Sequence, residues 1–152
     1  MVRILIFQAL LVICCSYALI RGGKPERFAV IILLIGFFLT IAVAAPVSER
    51  FSHVEMRILL VDTAMLASFF YLALHAERFW TLWLCAMQSI QVLTHLPIIV
   101  IPELLPQAYG AVAAIWAYPM LIVLAIGTYR HQQRLRRFGV DKSWSDFSTL
   151  QK

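Results

Sequence analysis

Asp62 and His95 are the residues whose types fit their surroundings least, and an acid paired with an imidazole is suited to passing a proton or holding a small polar solute. Asp62 is the one acidic residue inside an apolar span, and an ionised carboxylate near the bilayer interior costs at least ~2.5 kcal/mol on insertion scales. It therefore demands a partner. Gln88, Gln91 and His95 follow one another at spacings of three and four, which sets all three on one face of a single helix. The four residues form a candidate intramembrane polar site opening outward. The same stripe can equally serve as interhelical hydrogen bonding that holds a bundle together.

Other reactive residue types point to less. Cys14, Cys15 and Cys85 match neither a CxxC redox motif nor a zinc site, and thiols in apolar stretches of this kind act as small packing residues. Haem ligation needs two histidines at matched depth on different helices. His75 and His131 fall near inner helix ends, where such a site would be shallow and wet, and His53 lies in an outer loop. Interfacial histidines are the plainer reading, so no cofactor or metal is expected. An enzyme acting on lipid or quinone ranks last, because no nucleophile or metal constellation stands out.

Positioning these residues falls to long apolar helices. With 62% hydrophobic and 14% charged residues in a chain of 152, the composition departs from the balance of a soluble domain toward lipid as the solvent for its surface. Membrane-barrel strands would alternate in polarity, whereas Val30 to Leu34 and Ala117 to Ile126 are apolar almost without interruption. A hydrocarbon core takes roughly 20 helical residues to cross. Five stretches meet that need, at about 4–20, 28–45, 58–76, 79–101 and 109–129, leaving 130–152 as a basic juxtamembrane tail. The third and fourth, joined at Glu77-Arg78, are expected to be antiparallel neighbours. At 1.5 Å per residue Asp62 then lies roughly 6 Å and His95 roughly 9 Å inside the outer boundary, close enough in depth to meet.

Lys and Arg set the orientation. Arg21, Lys24, Arg27, Arg78, Arg130, Arg134, Arg136, Arg137, Lys142 and Lys152 fall on one side, against Arg3, Arg50 and Arg57 on the other. The positive-inside rule places the amino terminus outside and the carboxyl tail in the cytoplasm. Met1-Val2-Arg3, an apolar run and Ser16-Tyr17-Ala18 could be read as a cleavable signal peptide, but cleavage would invert that bias, so the first helix is expected to stay. A lipoprotein reading fails because Ile13 precedes Cys14 where a small residue is needed.

Packing and anchoring signals fill in the bundle. Gly36, Thr40 and Ala44 form a small-residue row at spacing four on the second helix, as do Gly110 with Ala114 and Ala113 with Ala117 on the fifth. Pro97 and Pro119 each remove a helical hydrogen bond, Pro119 near the middle of the fifth span, and can bow their helices around a small cavity or equally be bends that side chains fill, the commoner outcome. Tyr109 at the outer boundary and Phe79, Trp80 and Trp83 at the inner one read as interfacial anchors. The fifth helix is expected to continue past the membrane through Arg137 and stop at Gly139. Arg130, Arg134, Arg136 and Arg137 lie in reach of anionic lipid head groups, each worth ~1 kcal/mol. Nucleic acid is excluded as a partner, since the tail is too short to build a folded reader. Trp144 and Phe147, beyond a turn at Asp141-Lys142-Ser143, are expected to lie on the membrane surface or dock on a partner.

Arg21-Gly22-Gly23-Lys24-Pro25-Glu26-Arg27, Val61-Asp62, Tyr118-Pro119-Met120-Leu121 and the tail from Gly127 to Trp144 resemble small integral inner-membrane proteins of alphaproteobacteria, particularly sphingomonad types. The resemblance spans most of the chain. It implies a bacterial inner-membrane location and carries no activity with it. The expectation is an all-α, multi-pass bundle of five transmembrane helices with a structural, accessory or assembly role, as a subunit of a membrane complex or a homo-oligomer. The alternative is a small proton- or solute-handling transporter or channel working through Asp62, His95, Gln88 and Gln91.

Overall fold

Among the described residues the apolar runs become five helices: α1 (Val2–Arg21), α2 (Lys24–Val43), α3 (Met56–His75), α4 (Phe79–Leu93) and α5 (Ala117–Phe138). They come from a computed structural model that describes residues 2–44, 56–95, 115–141 and 143–144, with no strand among them beyond one isolated bridge. α1, α2 and α3, 20 residues each, are long and apolar enough to cross a membrane, and α4 is a shorter apolar helix of 15 residues. The middle of the expected outer segments, 96–114, lies outside the described residues. So do His53, Pro97, Tyr109, Gly110, Ala113, Ala114 and Phe147.

Local chemistry sets the helix ends. α1 gives way at Gly22-Gly23, and α2 restarts with Pro25 in its first turn, where no intrahelical N–H bond is lost. Glu26 reaches back so that its Oε2 accepts the Gly23 N–H at 3.0 Å. The α3–α4 connection is only Ala76, Glu77 and Arg78, which forces an antiparallel hairpin, and Thr81 Oγ1 donates to the Arg78 carbonyl at 2.6 Å to start α4. α5 runs on through the arginines to Phe138, where Gly139 adopts φ 71° and its N–H closes on the Leu135 carbonyl at 2.9 Å. Pro119 falls in the first turn of α5 as described and removes no bond from that stretch, while 109–114 of the expected fifth span lie outside the described residues.

α3 packs on α4 and on α2, α1 on α5, and the α1–α2 and α4–α5 contacts complete a ring. Ala18, Ala29, Val30, Phe69, Leu72, Leu84 and Leu124 are wholly buried between the helices. The outside is apolar as well: Ile13, Ile35, Phe38, Leu60, Phe70 and Ile122 are all exposed, and only 22–33% of the most apolar windows of α1, α2 and α3 is buried. A contiguous apolar exterior of that kind would drive association in water and is at home in lipid. Thr63 and Ser68 on that exterior return their hydroxyls to their own helix, at 2.8 Å to Leu59 O and 2.9 Å to Ala64 O, and so leave no donor unsatisfied in an apolar medium.

Close helix contacts depend on two glycines. A Cβ at Gly36 would stand 2.1 Å from the Met65 sulfur, and one at Gly127 would stand 2.8–2.9 Å from three atoms of the Trp80 ring. Trp80 is buried against Gly127 and is therefore no interfacial anchor, because the missing side chain at 127 draws the indole inward. Phe79 and Trp83 stay exposed, edge to face at 6.4 Å. Met65 can swing its thioether aside, whereas the indole is a rigid plate held in the core. Gly127→Ala should therefore cost about 2 kcal/mol and Gly36→Ala under about 1 kcal/mol, as thermal unfolding in detergent will measure.

Candidate functional site

Two buried polar clusters occupy opposite ends of the ring. The first lies toward the far end of the α3–α4 hairpin, away from its turn. Antiparallel packing brings Asp62, one turn and a half into α3, against Gln88 near the end of α4 and His95 just beyond it. His95 Nε2 meets Asp62 Oδ2 at 3.0 Å, and Gln88 Nε2 donates to Asp62 Oδ1 at 3.3 Å and to the Asp62 carbonyl at 3.1 Å. All three side chains are buried. Gln91 does not join this contact; its Oε1 is buried without a hydrogen-bond partner among the described residues.

What Gln91 borders instead is a cavity of about 290 Å³ that every helix helps to line. Its walls are apolar, from Phe7, Leu33, Phe37, Met65 and Met120, and its polar points are Asp62, Gln88, Gln91 and Thr40. The small-residue row on α2 contributes Gly36 and Thr40 to the wall. A carboxylate edge and an unpartnered amide oxygen on an otherwise apolar surface offer hydrogen-bond acceptors to a small donor-bearing molecule.

Sequence reasoning missed the second cluster, at the basic end where α1 stops, α2 starts and α3 turns into α4. Arg78 is buried there, as is Glu26. Beyond the Gly139 cap the chain folds back, and Asp141 becomes the centre of the cluster: Arg78 Nη2 donates to its Oδ2 at 2.7 Å, His131 Nδ1 to the same oxygen at 2.5 Å, and Arg134 Nε to its Oδ1 at 2.9 Å. Glu26 Oε1 faces Arg78 Nε at 3.8 Å, a charge contact longer than a hydrogen bond. Burial pushes the Asp141 carboxyl up, but the hydrogen bonds from Arg134 and His131 and the charges of Arg78 and Arg134 outweigh it and hold the group below its ordinary value.

Several tail residues stand elsewhere than a lipid-facing reading puts them. Arg134 turns inward to Asp141, while Arg130, Arg136 and Arg137 remain exposed. Trp144 pairs with Ala76 across the isolated bridge and sets its ring edge-on to Phe28 at 6.5 Å, so it docks on the bundle itself. His131 is bound to Asp141, and His75 directs Nδ1 to the Tyr71 carbonyl at 2.8 Å while stacking on the Tyr71 ring. Cys14 and Cys15 are packed in the core, and Cys85 is half-buried beside it. The one available signal for the second cluster was Asp141 itself, the first acid after a run of arginines and just past a helix stop.

No protein-family model matches the chain, and neither a curated protein nor a solved structure matches it.

Proposed function

We propose that the chain is a multi-pass protein of the bacterial inner membrane, with five spans, an external amino terminus and a cytoplasmic tail, and that its role is structural, accessory or assembly-related within a membrane complex. The observation that carries this reading is how the buried charges are used. Asp62 and Asp141 each collect donors from other segments, Asp62 from Gln88 and His95, Asp141 from Arg78, His131 and Arg134, and so act as struts between helices. Orientation is supported by the gathering of Arg21, Lys24, Arg27, Arg78 and the α5 arginines at one end of the ring. Purification in mild detergent should yield a stoichiometric membrane-protein companion or a homo-oligomer, with an absorption spectrum free of haem. A reporter fused after Lys152 should be active only in the cytoplasm.

The cavity beside Asp62 favours a second reading, a small transporter or channel for protons or a polar solute. The two readings part on one substitution. Asp62→Asn keeps one side-chain acceptor in place but loses the ionisable carboxyl, so it leaves partner association intact under the first reading and abolishes pH-dependent transport in proteoliposomes under the second.

A further inference from the structure

Between the last turns of α1 and the second half of α5 lies a pocket of about 260 Å³, separate from both clusters, lined by Tyr17, Arg21, Tyr129, Gln132, Gln133 and Arg136. No acidic side chain lines it. Arg78 and Arg134 nearby are committed to Asp141, but Arg21 and Arg136 form no ion pair with any described residue. Two unneutralised guanidinium groups on one pocket repel each other unless an anion joins them. The carbonyl end of α1 would work against an anion, and here Gln132 caps the Arg21 carbonyl with its side-chain amide. Gln133 Nε2 donates to the Tyr129 hydroxyl at 2.9 Å, which leaves the phenolic hydrogen available as a further donor.

We propose that this pocket binds the phosphate of an anionic phospholipid, with Arg21 and Arg136 as the clamp and Tyr129 donating to a third oxygen. Guanidinium groups match phosphate oxygens in geometry as well as charge. A lipid, rather than free phosphate, is the source because the helix faces leading away from the pocket are apolar and open: Ile13 on α1 and Ile122 and Ile126 on α5 are exposed and offer a wall for acyl chains. The proposal rests on the reading of this end as a membrane surface, and it replaces a diffuse basic belt with one defined pocket.

The test uses the full chain in mild detergent, with phosphatidylglycerol, phosphatidylcholine and inorganic phosphate as separate probes, read by native mass spectrometry and by thermal shift. Phosphatidylglycerol should stay bound and raise the melting temperature, and the other two should not. Arg21→Gln and Arg136→Gln should each weaken phosphatidylglycerol binding more than tenfold and Tyr129→Phe a few-fold. Arg27→Gln, the same charge change on α2, should leave it unchanged. An equal loss with Arg27→Gln, or inorganic phosphate matching the lipid, would overturn the proposal. Membrane fractionation of the unaltered chain keeps the two ideas apart: a membrane-located chain that does not retain phosphatidylglycerol sinks the pocket alone, and a chain absent from the membrane fraction sinks the location reading.

Discussion

Asp141→Ala is expected to release the carboxyl-terminal segment from the bundle and to cost about 3 kcal/mol of stability. Its carboxylate takes hydrogen bonds from Arg78, His131 and Arg134, and the Arg78 side chain is only 5% exposed. Without Asp141 that guanidinium stays buried with Glu26 at 3.8 Å as its remaining counter-charge. Removing one partner of a buried pair costs more than the pair ever contributed, since the other charge is left without compensation. Asp141→Asn retains an acceptor and should fall between the alanine variant and the native chain. Protease cleavage after Phe138 and a changed Trp144 emission will report the release, and a protected tail with unchanged melting would refute it.

The same latch has a predictable pH response. Because the folded-state value of Asp141 lies below that of the free group, its contribution is complete above the ordinary carboxylate value of about 3.9 and fades as pH falls through the lowered one. Tail release on acidification should therefore begin only below that ordinary range, and Asp141→Asn should remove this component of the pH dependence.

How much of this was legible follows from which contacts have a local signature. Asp62 and His95 meet across a hairpin whose turn is marked by Glu77-Arg78, so a fixed rise per residue, counted inward from the outer ends of the two spans, places them at similar depth. The Asp141 cluster has no such ruler. Arg78 and Asp141 are 63 residues apart in sequence, and their meeting depends on the left-handed Gly139 cap turning the chain back toward Ala76. Arg78 counted as a loop charge fits the positive-inside rule equally well whether it faces head groups or the core, which is why its burial left no trace in the pattern. Trp80 misled for a related reason. An aromatic near a helix start reads as an anchor, and only a glycine 47 positions later makes the space that draws it inward.

Asp62→Ala is the other large effect expected, about 2 kcal/mol, with Asp62→Asn well under half of that. Single hydrogen bonds between helices in lipid average only ~0.6 kcal/mol, because polar groups find other partners in the unfolded, inserted state. Asp62 differs in joining Gln88 and His95 at once in a buried position, so alanine takes the carboxylate acceptor from two side chains together, while Gln88 keeps the backbone carbonyl of residue 62. Gln88→Leu removes one of those donors with little loss of volume and should be milder than Asp62→Ala. In the Asp62→Ala, Gln88→Leu double variant the amide that lost its carboxylate acceptor is gone as well, so part of the alanine penalty should be regained. A cycle of these variants, unfolded reversibly in mixed micelles, measures that coupling. Strict additivity would mean the two side chains do not act as a unit, and the strut at Asp62 would lose its basis.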